Sequence, residues 1–106
     1  MGEFNFEVGC GDVTAVTMYA RATVISVVKT PLKLPDGKEV TWYKANLALS
    51  DTGNLLQNIT VSAKSGVEEW QKFHEYDLGF QIIQEIDKRG NSKFNLRVVY
   101  AIEPED

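Results

Sequence analysis

The sequence predicts an all-β domain: a closed barrel of five strands, with one short helix between the third strand and the fourth. Three observations support this fold class. Five stretches of the chain alternate apolar with polar residues, as strands with one buried face do. Turn-forming residues separate these stretches, and a single helical pattern interrupts the alternation after the third of them. We expect the barrel to span residues 13–102, after an N-terminal arm or edge strand (1–12) and before an acidic end (103–106).

The net charge of −4 does not exclude a polyanionic ligand, because the acidic residues are unevenly placed. Six of the fifteen acidic residues lie in the first twelve and last four positions, which leaves nine in residues 13–102 against all eleven lysines and arginines. Local charge along a groove decides whether a phosphate chain is attracted. The central part of the chain is therefore compatible with nucleic-acid binding.

Few residues are available for covalent or metal chemistry. Cys10 is the only cysteine and His74 the only histidine, so the sequence excludes an intramolecular disulfide and a cysteine-cluster metal site. It contains no nucleophile motif, phosphate-binding glycine loop or spaced pair of carboxylates, so we expect neither a cofactor nor enzymatic activity. No apolar run has the length of a membrane span and the start lacks a secretory pattern, so we expect a cytoplasmic protein without a membrane partner.

The first predicted strand, Val13–Lys29, is rich in β-branched residues. Its outward row includes Tyr19 and Arg21. The apolar row changes phase at Val24–Ile25 and continues through Val27, which predicts a bulge that bends the strand. Its seventeen residues are many for a strand, as expected of one that closes a small barrel.

The second predicted strand, Thr41–Ser50, follows a loop (Thr30–Lys38) in which Pro35-Asp36-Gly37 indicates a turn. A period of two places Tyr43, Ala45, Leu47 and Leu49 on its inward row. Its outward row carries an indole, an ammonium group and an amide, on Trp42, Lys44 and Asn46. A ring for stacking, a cation for a phosphate and an amide for a base edge suit a strand that binds single-stranded nucleic acid. The same row is compatible with an ordinary outer face, on which the indole covers a gap and the ammonium group is solvated.

The third predicted strand, Leu55–Ala63, precedes the helical pattern. Ser65 and Glu68 have the spacing of a capping box, which predicts a helix from Ser65 to about Glu75. Its apolar side contains Trp70 and Phe73, which we expect to close an open end of the barrel. His74, beside them, is expected to be a surface or half-buried structural residue.

The last two predicted strands are Asp77–Asp87 and Lys93–Ile102, joined by the basic turn Lys88–Ser92. Alternation places Phe80 and Ile82 of the fourth strand in the core, together with Phe94, Leu96, Val98, Tyr100 and Ile102 of the fifth. Val99 then lies on the outer face, and with the Phe4–Phe6 arm it is a candidate contact for a homodimer.

This order of elements is that of the five-stranded OB barrel, whereas an SH3-like barrel lacks a capped helix after the third strand. In OB barrels, ligands lie across the middle strands, between the loop that joins strands one and two and the loop that joins strands four and five. Those loops are residues 30–38 and 88–92 here, the two most basic segments of the chain.

The run from Gly37 to about Val99 resembles the single-stranded-DNA-binding, helix-destabilising proteins of bacteriophages and mobile elements. Four short fragments carry the resemblance in order: Gly37-Lys38, Asp51-Thr52-Gly53-Asn54, Ile59-Thr60-Val61 and Leu96-Arg97-Val98. It implies an OB fold, cooperative and sequence-tolerant binding of single strands, and often a dimer. The chain departs from the pattern in its Trp70 helix and longer start, and it lacks the extended Gly- and Pro-rich acidic tail of bacterial chromosomal single-strand binders.

Together these observations predict binding without chemistry. Tyr19 and Trp42 are expected to stack on bases and the cations to follow the phosphates of single-stranded nucleic acid, with DNA favoured over RNA. The candidate interface comprises Tyr19, Arg21, Lys33, Lys38, Trp42, Lys44, Asn46, Lys88, Arg89 and Lys93. A competing hypothesis, which the acidic net charge favours, is a protein-interaction module of a phage or conjugation assembly. No feature of the sequence indicates a third possibility, a protein that binds a small molecule or an oligosaccharide.

Overall fold

The computed structural model describes residues 11–104, and its five strands form one closed barrel in the order β1-β2-β3-β5-β4, with β4 returning to β1. Every neighbouring pair is antiparallel except β3 and β5, which run parallel. The predicted all-β barrel of five strands is therefore confirmed. The strand bounds are Met18–Lys33 (β1), Glu39–Leu49 (β2), Leu55–Val61 (β3), Glu75–Ile86 (β4) and Ser92–Ile102 (β5).

The predicted N-terminal arm falls mostly outside the described residues, as do Cys10, the Phe4–Phe6 contact and the last two residues of the acidic end. Gly11, at the start of the described part, forms a bridge with Tyr100 of β5. Its φ is +123°, and a Cβ at this position would meet the Val99 carbonyl oxygen at 2.0 Å, so only glycine fits. The described chain therefore begins against the edge of β5.

The first strand begins and ends later than predicted. The side chain of Asp12 accepts a hydrogen bond from the Thr14 amide and caps a 3-10 turn at Val13–Ala15, so these residues are not part of β1. At the other end β1 continues to Lys33, through four residues that were expected to be loop. The hairpin turn is closed by hydrogen bonds from the Leu34 amide to the Lys38 carbonyl (2.7 Å) and from the Gly37 amide to the Leu34 carbonyl (2.9 Å).

The bulge predicted in β1 is present. The pairing with β2 shifts between Val24 and Ser26, which leaves Ile25 as the extra residue. Val27, predicted to continue the inward row, is nevertheless exposed. Its cross-strand partner Ala45 is buried, so at this level the core covers β2 but not β1, and Val27 borders a depression with Trp70 and Lys72.

The core lies inside the barrel and is built by alternate residues of all five strands. Tyr43, Ala45 and Leu47 of β2 are buried, as predicted from their period of two. The other buried residues of the cluster are Ala22, Val24, Val61, Val67, Trp70, Tyr76, Leu78, Phe80, Val98 and Ala101.

Two short 3-10 turns, Ala63–Ser65 and Val67–Glu69, replace the helix predicted from Ser65 to Glu75. Ser65 does not cap a helix: it is buried, and its hydroxyl donates to the Ser62 carbonyl oxygen at 2.7 Å. Gly66 between the turns has φ +79°, a left-handed conformation that interrupts a right-handed helix. The capping-box spacing was therefore misleading: Gly66 separates the two turns, and the chain leaves the second turn at Trp70, whose backbone is extended (ψ 139°).

The aromatic residues that follow these turns have opposite environments. Trp70 is only 9% exposed and stacks on Tyr76 with ring centroids 5.8 Å apart, so its predicted packing role is supported. Phe73, expected beside it, is 68% exposed and has φ +65°. His74 is partly exposed, with its ring 5.0 Å from that of Tyr76 and its Nε2 3.7 Å from a Glu103 carboxylate oxygen, in keeping with a structural role.

The β4–β5 hairpin also extends beyond the barrel. Phe80 is buried, but Ile82 is 41% exposed and Phe94 66%, so two predicted core residues lie at the surface. Ile82 pairs with Leu96 and Phe94 with Gln84, which keeps both on the side predicted by alternation. Their exposure follows because the hairpin arm carries this side past the end of the barrel.

A second bulge changes the inward row of β5. Gly79 pairs with Tyr100 and Phe80 pairs with Val98, which leaves Val99 as the extra residue. Ala101 consequently becomes a core residue, whereas Tyr100 and Ile102 are only partly buried. Val99 itself is buried, and its carbonyl accepts from the Asp12 amide, so the prediction that it is an exposed dimer contact is wrong.

Candidate nucleic-acid interface

A groove of about 500 Å³ opens on the outer side of the barrel between β3 and β5. Four of the five strands contribute to its walls. They supply Trp42 and Lys44 from β2, 57–60 from β3, Ile83 and Glu85 from β4, and 95–97 from β5. This is the region between the two long hairpins in which OB barrels hold their ligands.

The groove opens because β3 and β5 share very little hydrogen-bonded length. Within residues 11–104 their parallel pairing consists of Thr60 with Arg97 and Val61 with Val98. Ahead of these two pairs the strands diverge. Consecutive residues of each strand then border the opening, so the strand edges face it as well as the outward side chains.

A row of directly paired residues crosses the floor of the groove. Lys44 pairs with Thr60, and Thr60 pairs with Arg97. Because neighbouring strands lie about 4.8 Å apart, the backbones of Lys44 and Arg97 are separated by roughly 10 Å. Two cationic side chains therefore flank one hydroxyl on the outer face of three adjacent strands.

Trp42 stands between the groove and a second depression. It lies two residues before Lys44 on the same face of β2, and it is 48% exposed. The second depression, of about 420 Å³, is bordered by Trp42, Lys44 and Thr60 together with Thr30 and Leu32 of β1. The indole thus borders both depressions and lies on the exposed face of β2 on which alternation predicted it.

Arg97 is a groove residue that the sequence prediction of the site missed. Its Nε is buried and has no hydrogen-bond partner within the described part of the chain. Its outward position could be read from the alternation in β5. Its closeness to Lys44, however, depends on the parallel pairing of β3 with β5, which no local sequence pattern encodes.

The wall formed by β4 and β5 also carries a negative charge. The Asn95 side-chain amide donates a hydrogen bond of 2.8 Å to the Glu85 carboxylate. Glu85, which is exposed, and Asn95 both border the groove with Arg97. The groove is thus a mixed site, with cations on its floor and a carboxylate on one wall.

The predicted lysines and arginines of the hairpin turns lie further out. Lys33 is opposite Glu39 at the end of the β1–β2 ladder, and Lys38 follows in the turn. Lys88 and Arg89 lie in the β4–β5 turn, about 10 Å beyond Glu85 at roughly 3.3 Å per residue. Lys93, by alternation, shares the outward face of Asn95 and Arg97.

The β4–β5 turn is held by the carboxylate of Asp87. One of its oxygens accepts hydrogen bonds of 2.9 Å from the amides of Arg89 and Asn91. These backbone hydrogen bonds, that of Asn91 foremost, lower the pKa of Asp87. The cations of this turn are therefore presented from an ordered loop.

Tyr19 and Arg21 do not join Trp42 in the groove. They border a separate depression with Ala20, Asp77 and Ile102, where β1 pairs with β4. The Tyr19 ring lies edge-to-face with Tyr100, with centroids 6.3 Å apart. The Arg21 guanidinium binds the Asp77 carboxylate through two hydrogen bonds, of 2.7 and 3.2 Å.

The amide of Asn46 is used inside the sheet. It donates to the Ser26 hydroxyl (2.9 Å) and accepts from the Asn58 backbone amide (2.9 Å). Asn46 lies opposite the irregularities of both β1 and β3, where the pairing of β2 with each neighbour shifts. Both the nitrogen and the oxygen of the Asn46 side-chain amide are therefore used within the sheet, where they stabilise the two irregular positions.

On the other face of β2, Tyr43 anchors the strand that carries Trp42. Its hydroxyl donates a short hydrogen bond to the Glu68 carboxylate, which also accepts from Lys29 Nζ at 3.3 Å. The hydrogen bond from Tyr43, followed by that from Lys29, lowers the pKa of Glu68, and the same bond to the carboxylate raises the pKa of Tyr43. This contact ties the base of the β1–β2 hairpin to the 3-10 turns.

The described residues contain no cluster of three or more histidine, cysteine, aspartate or glutamate side chains that could hold a metal ion. None of the helices in the described part combines the length and the apolar composition needed to cross a membrane.

No protein-family model matches the chain, and no curated protein or solved structure shows significant similarity to it.

Proposed function

We propose that the protein binds single-stranded DNA with little sequence preference and coats and protects single strands during replication, recombination or transfer of a phage or mobile element. One observation carries the proposal. An exposed indole, Trp42, borders an open groove whose floor carries the cations of Lys44 and Arg97. An aromatic platform beside a cationic track is the combination that single-stranded nucleic acid requires.

In this mechanism the polynucleotide crosses the outer face of the middle strands. A base stacks on Trp42, which contributes about 1–3 kcal/mol and tolerates any base. Lys44 and Arg97 bind phosphates, and the cations of the two hairpin turns extend the track. A duplex has no unstacked base to offer Trp42, so preferential binding holds strands apart by mass action without an energy source.

A titration with fluorescein-labelled oligo-dT, followed by fluorescence anisotropy at low and moderate salt, tests this proposal. The logarithm of the binding constant is expected to fall with the logarithm of salt concentration by about 0.7 for each phosphate neutralised on a single strand. Contacts from Lys44, Arg97 and Lys93 would give a slope of about −2. A duplex of equal length should bind more weakly, and no binding of oligo-dT at low salt would contradict the proposal.

A second candidate function is a protein-interaction module, and the divergence of β3 and β5 favours it. Their facing edges border the groove beyond the two paired positions, so an extended peptide could add a strand there. Exposed Ile86 and Phe94 on the neighbouring arm offer apolar contacts. If oligo-dT does not bind at low salt, this second function becomes the leading hypothesis.

A further inference from the structure

Beyond Ile82, the edge of β4 that faces away from β5 has no strand beside it within residues 11–104. The pairing of β4 with β1 ends at Phe80, and the Ile82 amide then donates a hydrogen bond of 3.2 Å to the Thr17 hydroxyl. The Ile82 amide therefore points away from β5. Because backbone groups alternate between the two edges of a strand, those of Gln84 and Ile86 point to the same open edge.

The free edge of β1 is protected against pairing with a further strand, whereas the open edge of β4 is not. After its bulge at Ile25, the free part of β1 carries Lys29, Pro31 and Lys33. Bulges, lysines and prolines are the features that natural proteins place on sheet edges to prevent strand addition. Residues 83–86 of β4 contain no lysine or proline, and their ladder with β5 is regular. An unprotected edge of this kind is a surface that pairs with another strand.

The residues of this open edge are arranged symmetrically about Gln84. On one face of β4 the order is Ile82, Gln84, Ile86, which reads the same in both directions. Ile86 is 69% exposed, and Phe94, opposite Gln84 on β5, adds further exposed apolar surface to this face. If two copies of the segment lie antiparallel, each Ile82 faces the partner's Ile86. Such self-complementarity is what a two-fold symmetric interface requires.

We propose that two copies of the chain associate through the open edges of β4, antiparallel about a two-fold axis at Gln84. Gln84 then exchanges two backbone hydrogen bonds with the partner's Gln84, and the Ile86 amide donates to the carbonyl oxygen of the partner's Ile82. This surface differs from Val99, the dimer contact that the sequence indicated. The proposal does not depend on nucleic-acid binding.

Charge and space favour this register over its neighbours. An axis at Glu85 would set two carboxylates directly opposite each other, and an axis at Ile86 would set Glu85 opposite the partner's Asp87. Like charges at directly opposed positions destabilise a ladder. An axis at Ile82 or Ile83 would carry Ile86 to the part of β4 that β1 already occupies.

Sedimentation velocity of the full chain, from about 1 to 500 µM, tests the association. Standard interfaces bury about 1,200–2,000 Å², and so short a ladder buries less, so we expect a monomer at the low end and an increasing fraction of dimer toward the high end. Ile86→Lys places a charge on the edge and should weaken the dimer at least about tenfold, with an unchanged urea midpoint. Val28→Lys is the matched control, since Val28 is an exposed β-branched residue of β1, and it should leave the dimer intact.

A cysteine at the proposed axis tests the register. Gln84→Cys is combined with Cys10→Ser, so that it supplies the single thiol of the chain, and is oxidised with copper phenanthroline. Directly opposed residues of a hydrogen-bonded antiparallel pair have Cα atoms about 5.5 Å apart, which a disulfide can join. We expect this variant to cross-link into dimers. Ile86→Cys in the same background should not, because the partner's Ile86 lies four positions, or roughly 13 Å, along the ladder.

The outcomes separate the association from its surface. A monomer at every concentration would overturn the proposal and leave the edge to a strand of another protein. A dimer that survives Ile86→Lys unweakened, or cross-linking at position 86 and not at position 84, would overturn the assigned surface and register.

Discussion

Replacing each of the two tryptophans by alanine separates binding from folding. Trp70 is 9% exposed inside the barrel, and Trp42 is 48% exposed beside the groove. A fully buried tryptophan removes up to about 250 Å² from water, so at about 25 cal/mol per Å² the burial of Trp70 is worth at most roughly 5–6 kcal/mol. The partial burial of Trp42 is worth at most about half of that.

We therefore expect Trp70→Ala to lower the free energy of unfolding by about 3–5 kcal/mol, as truncation of a buried aromatic does. Trp42→Ala should lower it by only about 1–2 kcal/mol, because an exposed hairpin face leaves no enclosed cavity. For binding, the loss of one base stack predicts an affinity for oligo-dT that is about 5- to 150-fold weaker in Trp42→Ala. The salt slope should stay the same, since no phosphate contact is removed.

Stability is measured by urea unfolding followed by far-ultraviolet circular dichroism, because tryptophan fluorescence changes with the mutations themselves. Binding is measured by the anisotropy of the labelled oligonucleotide for the same reason. Trp42→Phe is the matched control and should retain most of the affinity. Equal stability losses from the two alanine variants would show that the faces of β2 are wrongly assigned, and unchanged binding by Trp42→Ala would refute the placement of the interface.

Three further predictions concern charge, pH and backbone strain. Lys44→Gln and Arg97→Gln should each reduce the magnitude of the salt slope by about 0.7 in the anisotropy titration, whereas an unchanged slope would mean that neither side chain binds a phosphate. The pKa of Glu68 in the folded state lies below its ordinary value of 4.5, so the stability contributed by Tyr43 and Lys29 is present at neutral pH and is lost as the pH falls below about 4.5 through the folded pKa. Urea midpoints should consequently decline more steeply over that range in the wild type than in Glu68→Gln, and parallel declines would contradict the assignment. Phe73→Gly should raise the free energy of unfolding by about 0.5–1 kcal/mol, because φ +65° strains phenylalanine and not glycine; a loss would mean that the contact of its ring with Lys72 outweighs the strain.

The alternation of apolar and polar residues was sufficient to predict the barrel, because a period of two is imposed wherever one face of a strand is buried. It predicted the burial of Tyr43, Ala45 and Leu47 and the bulge at Ile25. It could not predict that Ile82 and Phe94 are exposed. Alternation fixes the side of a sheet on which a residue lies, but not how far the core extends beneath that side.

The candidate site was only partly predictable for a related reason. The local pattern of β2 correctly placed Trp42 and Lys44 on one exposed face, since neighbours on a strand share a face at every second residue. Which strands meet around that face is a long-range property. The pairing of β1 with β4 takes Tyr19 to a separate depression, and the pairing of β3 with β5 brings Arg97 to the groove.

The two residue pairs that join β3 to β5 are the thinnest part of the closed sheet. Every other pair of neighbouring strands has a longer ladder, so we expect local opening of the barrel to begin between β3 and β5. The groove lies over this junction, with residues of β2 and β3 on one side and residues of β4 and β5 on the other. A ligand bound in the groove contacts both sides of this junction and holds them together. Binding is therefore expected to reduce the motion of the whole barrel as well as that of the residues in contact with the ligand.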